Sequence, residues 1–144
     1  MRRYDPSQSP DYRALAEFRF QIRGFLKTSE EAARFVGLEP QQHQLMLAIK
    51  GLPEGDQPTV GRVAERLQLK HHSAVELVDR CERLGLMRRS QDTADHRRVL
   101  VELTEEGEAV LRRLSEVHTE ELTQMAPHLT AALEAILTNK GVAA

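Results

Sequence analysis

An aspartate and an arginine in the second half of the chain, Asp95 and Arg97, are spaced so that the carboxylate can hold the guanidinium in place. A planar guanidinium at the tip of a loop suits the narrow minor groove of duplex DNA. A second group of residues in the same part of the chain is cationic and can neutralise phosphates without reading sequence. Its members are Arg62, Arg66, Lys70, Arg88, Arg89 and Arg98. These residue types favour binding to a polyanion.

A third group of side chains lies between those cations, in a segment with helical periodicity. Its members are His71, His72, Ser73, Val75 and Glu76. Histidine and serine exchange hydrogen bonds with base edges, a valine packs on a thymine methyl group, and a glutamate accepts a hydrogen bond from a cytosine amino group. For any single one of these residues, a solvated helix face is an equally good interpretation.

The distribution of charge along the chain also points to a polyanionic partner for this segment. The 144 residues have a formal net charge of −2. Residues 61–98, however, hold nine basic and six acidic side chains, whereas residues 99–144 hold three and eight. The basic excess therefore lies on the candidate binding segment, as electrostatic steering towards nucleic acid requires.

Apolar residues at spacings of three and four predict two short helices around these side chains. The first spans roughly residues 59–67, with Thr59 as its N-cap, and the second spans about residues 71–84 and ends at Gly85. Only three residues connect the two helices, which forces them to cross steeply. The pattern predicts a helix-turn-helix.

The apolar pattern changes from helical to alternating after Gly85. Two runs, residues 86–89 and residues 99–103, predict the strands of a β-hairpin. The polar loop that connects them, from Ser90 to Arg98, carries the aspartate and arginine described above at its charged tip. A helix-turn-helix with such a wing is typical of proteins that bind duplex DNA.

In this segment the chain resembles the MarR-type winged-helix transcriptional regulators. The residues that carry the resemblance occur in order and at matching spacing. They are the run VAERL, the segment VDRCERLGLMRR, the Asp95-His96-Arg97 match to the family's Asp-x-Arg wing motif, and Leu103-Thr104 followed by Gly107. The resemblance implies a sequence-specific DNA-binding regulator that acts as a homodimer on a pseudo-palindromic operator.

Two positions in the predicted turn depart from the family pattern. Gln68 lies where the family usually has a glycine, and Lys70 lies where a capping serine is common. We therefore expect the start of the recognition helix to be less well fixed than in other members.

Amphipathic patterns on both sides of the winged helix-turn-helix, residues 59–104, predict further helices. One covers residues 11–36, and residues 105–140 hold two more, the last of which starts at Pro127. Their apolar faces exceed what the winged helix alone can cover, and the resemblance implies that they form a dimer interface. A monomeric core is the alternative. The expected fold is mainly α with a small β-hairpin wing, in one domain that covers residues 1–144.

The resemblance also implies a small-molecule effector that binds between the dimerisation helices and the winged-helix lobe. Such a ligand changes the spacing of the two recognition helices and releases the DNA. The candidate pocket residues are Phe18, Phe25, His43 and His118. Ordinary core packing explains these four side chains equally well.

Other kinds of chemistry have weaker support in the sequence. We find no catalytic constellation, phosphate-cradling glycine loop or cofactor motif, so we expect neither an enzyme nor a bound cofactor. The six histidines show no spacing that predicts a metal site. Cys81 falls on the apolar stripe of the second short helix, which favours a packing role over redox sensing.

No apolar run approaches transmembrane length and the N-terminus lacks an apolar signal region, so we expect a cytoplasmic protein without membrane partners. The rival function is a winged-helix module that binds another protein and has no specific DNA binding. The basic surroundings of Arg97 weigh against that alternative.

Overall fold

A computed structural model describes residues 9–139 of the chain. Five helices and two strands follow one another in the described part. They are α1 (Tyr12–Phe35), α2 (Pro40–Lys50), α3 (Val60–Leu67), α4 (His71–Arg83), β1 (Met87–Gln91), β2 (Val99–Leu103) and α5 (Glu105–Asn139). These elements form two compact units. One unit is residues 30–117, and the other combines the described parts of residues 1–29 and 118–144.

The core of the unit formed by residues 30–117 is built from the apolar faces of α2, α3 and α4 and from the hairpin. Its most completely buried large side chains include Leu45, Leu77, Met87 and Val101. An ion pair between Arg80 and Glu39, at 2.6 Å, links α4 to the start of α2. The predicted mainly helical fold with a two-stranded wing is confirmed.

The turn between α3 and α4 has the weak points that the sequence indicated. Thr59 caps α3 as predicted, because its hydroxyl accepts a hydrogen bond of 3.1 Å from the Arg62 backbone N–H. Gln68 then takes the left-handed conformation, with φ of +57°. Lys70 occupies the N-cap of α4 and makes no capping hydrogen bond with its side chain.

The hairpin pairs β1 with β2 in antiparallel register, from Met87 opposite Leu103 to Gln91 opposite Val99. Its connecting loop is therefore shorter than predicted. Ser90 and Gln91 belong to the strand, because both pair across the ladder. A further bridge joins Thr59 to Leu100 and attaches the hairpin to the start of α3.

A threonine connects the hairpin to the start of α5. The Thr104 hydroxyl donates a hydrogen bond of 2.6 Å to the Gly85 carbonyl and accepts one of 3.1 Å from the Gly107 N–H. Gly107 lies directly against the Leu86 carbonyl, since a Cβ at position 107 would be 2.0 Å from that oxygen. The Leu-Thr-x-x-Gly pattern therefore encodes a tight contact between the α4–β1 junction and α5.

The first helix begins at a capping residue, since Asp11 accepts a hydrogen bond of 3.0 Å from the Ala14 N–H. The terminal helices leave much apolar surface exposed. Several large apolar side chains in the unit of α1 and α5 segments are exposed: Tyr12, Leu15, Phe20, Leu26, Leu122, Leu133 and Leu137.

One expectation about the last helix was wrong. Pro127 does not start a separate helix, because α5 runs without interruption from Glu105 to Asn139. A proline inside a helix removes one backbone hydrogen bond and can bend the helix, but the remaining turns still form when they gain from packing. Ala132, one turn beyond the proline, is such a buried position. No helix in the described residues is both long and apolar enough to cross a membrane.

Candidate nucleic-acid interface

The tip of the wing presents the side chain of Arg97 to solvent in a fixed position. Arg97 is 90% exposed, and its Nε and Nη2 atoms donate to the two carboxylate oxygens of Asp95 at 3.0 and 3.2 Å. The same carboxylate accepts a hydrogen bond of 3.1 Å from the Arg97 backbone N–H. These bonds lower the pKa of Asp95, so its carboxylate stays ionised at neutral pH. Within residues 9–139, no hydrogen bond uses the Nη1 atom of Arg97.

Hydrogen bonds within the loop close the wing tip. The Asp92 N–H donates to the Arg98 carbonyl and the Arg98 N–H donates to the Asp95 carbonyl, each at 3.0 Å. The Asp92 carboxylate also accepts from the Ala94 N–H at 2.9 Å. The loop therefore holds Arg97 in place through its own backbone.

The exposed face of α4 carries the residues that the sequence proposed for reading bases. His71, His72 and Glu76 are exposed, whereas Ser73 and Val75 are half-buried. All five lie in the first two turns of the helix, at the end that follows the turn. This end of a recognition helix is the part that contacts base edges in helix-turn-helix proteins.

A groove of about 380 Å³ separates the N-terminal ends of α3 and α4 from the wing. Valine side chains contribute apolar surface, and arginine and histidine side chains contribute positive or polar surface. The lining residues are Thr59, Val60, Gly61, His71, Val75, Arg89, Arg97, Arg98 and Val99. The groove thus joins part of the exposed face of α4, which the sequence predicts to read bases, to the wing tip in one continuous concave surface.

The cations proposed for phosphate contacts differ in how far they are already neutralised. Arg66 and Lys70 are exposed, and neither forms an ion pair within the described part of the chain. Arg88 and Arg98 are exposed and have long pairs, to Glu102 at 3.7 Å and to Asp92 at 3.9 Å. This first set keeps most of its charge available to a polyanion.

Two other cations of that group have close acidic partners. Arg62 pairs with Asp56 at 2.7 Å and with Glu65 at 3.0 Å, and these hydrogen bonds, above all the one to Asp56, raise the pKa of Arg62. Arg89 pairs with Asp79 and Glu82 on α4. Arg62 and Arg89 are therefore already neutralised within the chain.

Cys81 has the environment of a structural thiol. Its side chain is completely buried on the inner face of α4, and burial raises its pKa to about 11. The thiol is therefore protonated at neutral pH, and the thiolate that oxidants attack is scarce.

The residues considered for an effector pocket fall into the two compact units. Phe25 and His118 lie in the unit of α1 and α5 segments, with their ring centroids 5.9 Å apart and their planes at 68°. Burial lowers the pKa of His118. Phe18, in the same unit, is half-buried on α1, and His43 is a buried residue of α2 in the other unit.

Sequence reasoning missed several residues of this surface. Asp79 was placed off the buried stripe of α4 but was given no partner, and Glu82 was given no role, although both follow Val75 at helical spacings on the face that meets β1. Two carboxylates on one helix face beside a basic strand are a signal for an ion-pair cluster. Thr59 and Gly61 enter the groove only because the bridge between Thr59 and Leu100 brings the start of α3 next to the hairpin.

The fold and this surface define a winged helix-turn-helix protein. The family model described as "MarR family" matches residues 36–98. The HTH-type transcriptional repressor MdtR of Bacillus subtilis is 29% identical to this chain over 108 residues, which cover 67% of this chain and 68% of that protein. The chain is thus similar to the MarR family over the residues that the family model matches, and to a transcriptional repressor over about two thirds of its length.

Solved structures share the fold at lower sequence identity. The S. aureus MepR-DNA complex has 19% identity and a TM-score of 0.67, and the match covers 92% of this chain and 97% of that one. AbsC, a MarR family regulator from Streptomyces coelicolor, has 18% identity and a TM-score of 0.67, with 91% and 84% covered. A mutant MarR from E. coli complexed with operator DNA has 19% identity and a TM-score of 0.64, with 83% and 87% covered.

Proposed function

We propose that this chain regulates transcription by binding duplex DNA, with α4 in the major groove and the wing in the adjacent minor groove. The observation that carries the proposal is the exposed Arg97 guanidinium, which Asp95 holds by two hydrogen bonds at the tip of the wing. An ordered arginine without a buried role suits insertion into a narrow minor groove, where the negative potential is enhanced.

Base reading is assigned to the first two turns of α4. His72 and Glu76 are exposed there and lie four residues apart, on one face of the helix. His71 and Val75 have the same spacing and line the groove that faces the wing. Together with Ser73, these side chains offer hydrogen bonds and one apolar contact to base edges.

The groove between α4 and the wing is assigned to one strand of the sugar-phosphate backbone. A protein that occupies a major groove and the neighbouring minor groove must accommodate the strand that separates them. The groove has that position, and Arg98 lines it together with three valines that suit sugar carbons. Arg66 and Lys70, which are exposed, are assigned to phosphates beside the groove.

We propose that the active form is a homodimer. The exposed apolar side chains of the terminal helices, such as Phe20 at 65% and Leu26 at 43%, would be costly on a monomer. A second copy of the chain would cover such surface and would place two reading heads on the two half-sites of a pseudo-palindromic operator. Residues 1–144 act in this proposal as one functional domain.

A small-molecule effector is proposed to release the DNA. It must bind unequally to the conformations in which the two recognition helices have different spacings, since only differential affinity shifts such an equilibrium. The contact of Phe25 with His118 offers an aromatic surface for part of such a ligand. The Bacillus relative is a repressor, and we propose the same action here, in the cytoplasm, where bacterial-type regulators meet DNA.

The rival function is a winged-helix module that binds a protein instead of DNA. The experiment begins with selection of an operator from random-sequence duplexes by the intact chain. Fluorescence anisotropy then measures the Kd for the operator and for a random duplex between about 50 and about 200 mM salt. We expect the operator affinity to fall roughly 100-fold or more over this range, because several phosphate contacts form in each half-site. Failure to select any duplex, or an affinity that ignores salt, would support the rival function.

A further inference from the structure

Arg89 lies at the root of the wing, as the third residue of β1. Its side chain is 27% exposed, whereas the neighbouring Arg88 is 65% exposed. Successive residues of a strand point to opposite faces, so Arg89 and Arg88 contact different surroundings. Arg89 faces α4, because each of its side-chain hydrogen bonds ends on that helix.

The contacts of Arg89 extend along two turns of the recognition helix. Its backbone N–H donates to one oxygen of Glu82 at 3.1 Å, and its Nη1 atom donates to the other at 3.0 Å. Its Nη2 atom donates to the carboxylate of Asp79 and, at 3.4 Å, to the carbonyl of Val75. One residue of β1 is thereby bonded to three positions of α4 at spacings of four and three.

The bonds to Glu82 restrain motion in more than one direction. Because one carboxylate oxygen holds the backbone and the other holds the guanidinium, the strand can neither slide along α4 nor rotate away without losing a hydrogen bond. The bond to the Val75 carbonyl reaches the end of the helix that reads bases. The wing root is thus tied to the helix along the length that separates the two proposed DNA contacts.

The charge of Arg89 is already offset by these partners. Two carboxylates surround one guanidinium, so the group of Asp79, Glu82 and Arg89 has a net charge of −1. Arg89 also lines the groove that is assigned to the DNA backbone, but a phosphate there would have to compete with both carboxylates for the guanidinium. Arg66 differs, since within residues 9–139 it has no ion pair.

We propose that Arg89 is a positioning residue that fixes the wing relative to α4, and that it does not contact phosphate. The proposal rests on the proposed function, since it concerns how the two DNA contacts are held at the spacing of adjacent grooves. Loss of the tie lets α4 and the wing bind DNA independently. Selectivity for the operator then falls, whereas attraction to any duplex persists.

The test measures the ratio of operator affinity to random-duplex affinity in variants of the intact chain. Arg89→Gln removes the tie, and Arg88→Gln is the matched control, because it removes the same charge from the adjacent position on the opposite face of the strand. Glu82→Gln weakens the tie from the other side while it removes a negative charge. Thermal unfolding followed by circular dichroism establishes which variants are folded. Glu82 is 40% exposed, so its variant provides the test if Arg89→Gln does not fold.

We expect the affinity ratio to fall roughly tenfold in both Arg89→Gln and Glu82→Gln. Arg88→Gln should weaken binding to the operator and to the random duplex by the same factor, because a phosphate contact carries no sequence information, and should therefore leave the ratio as it is. Arg89→Lys should recover part of the loss, since it keeps the charge but lacks the planar fork. An unchanged ratio in Glu82→Gln, with tighter binding to both duplexes, would overturn the proposal, because freeing Arg89 would then have created a phosphate contact. An equal fall in Arg88→Gln would also overturn it. If the wild-type chain selects no operator, the proposed function fails instead.

Discussion

The two ends of helix α4 differ in how well their backbone conformation and capping hydrogen bonds suit the residues found there. At its C-terminal end, Gly85 supplies the left-handed conformation, with φ of +75°, and its carbonyl accepts a hydrogen bond from Thr104. At its N-terminal end, the same kind of conformation falls on Gln68, and the N-cap residue is Lys70, which has no capping acceptor. Local backbone chemistry is therefore favourable at one end and unfavourable at the other.

The difference follows what each end does. The C-terminal end holds the wing and α5 in place, so stable contacts serve it. The N-terminal end is the proposed DNA-reading end, where an exposed lysine that attracts phosphate is more useful than a serine that caps the helix. Functional surfaces commonly keep residues that lower stability. We infer that Lys70 lowers the stability of the turn, because it does not cap α4, and that in return it adds positive charge to the proposed DNA-reading end.

The largest expected effect is on stability, and it comes from a steric clash introduced beside the C-terminal end of α4. Gly107→Ala places a Cβ 2.0 Å from the Leu86 carbonyl oxygen, and the clash can be relieved only by a shift of backbone, because the nearest atoms are all backbone atoms of Leu86. We expect the free energy of unfolding to fall by about 3 kcal/mol, even though alanine favours helices over glycine. Urea unfolding measures the change.

Gly61 provides the matched control for that substitution. A Cβ at position 61 meets no atom within 4 Å, and the residue lies inside α3. Gly61→Ala should therefore raise the free energy of unfolding by roughly 0.5 to 1 kcal/mol. If Gly107→Ala behaved in the same way, the contact between Leu86 and α5 would not be tight.

The wing tip gives the next largest effect, on DNA binding instead of stability. Arg97→Ala should weaken operator binding by roughly 1 to 3 kcal/mol per half-site, because a proposed minor-groove contact is lost. The free energy of unfolding should hardly change, since Arg97 is 90% exposed. Arg97→Lys should restore only part of the affinity, because an ammonium lacks the planar fork. Normal operator binding by a folded Arg97→Ala protein would mean that the wing does not enter the groove.

Lys70→Ser should change stability and DNA binding in opposite directions. A serine N-cap stabilises a helix by about 1 kcal/mol relative to a residue without an acceptor, and removal of a positive charge from a helix N-terminus also helps. Operator affinity should fall at the same time, and the slope of log affinity against log salt should decrease by about 1 per half-site. Paired urea and anisotropy measurements test both changes. A gain in both properties would contradict the trade-off that we infer for this end of α4.

Regular patterns explain which parts of this structure could be predicted from the sequence. The apolar spacing of Ala74, Leu77, Val78, Cys81 and Leu84 placed α4. The first four are buried as predicted, but the expectation for Leu84 was wrong, because it lies at the C-cap of the helix and is 48% exposed. The departure at Gln68 was visible as well, because a missing turn glycine leaves a left-handed position to another residue. Local chemistry determines such features, so a single sequence contains them.

Features that depend on distant partners could not be predicted in the same way. In the sequence, Arg89 cannot be distinguished from the other cations of a basic segment. Only the packing of β1 on α4 brings its side chain to Asp79 and Glu82. The bridge from Thr59 to Leu100 likewise joins residues that are 41 positions apart in the sequence. Pro127 led to a wrong prediction for a different reason. The free-energy cost of a proline inside a helix depends on local geometry, which the sequence shows. The packing that offsets this cost depends on other parts of the fold, which the sequence does not show.

The smallest expected effect concerns Gln68 and isolates the backbone part of the comparison. The left-handed conformation costs roughly 1 kcal/mol for a residue with a side chain and almost nothing for glycine. Glycine, however, loses more conformational entropy on folding, which offsets part of this advantage. Gln68→Gly should therefore raise the free energy of unfolding by about 0.5 kcal/mol. Gln68→Ala is the control, since alanine keeps the strain and should give no gain. DNA binding should change little in either variant, because neither alters a charge on the reading face. If glycine destabilised the protein instead, strain at Gln68 would not be what distinguishes the two ends of α4, and the absence of a cap at Lys70 would account for the weak end alone.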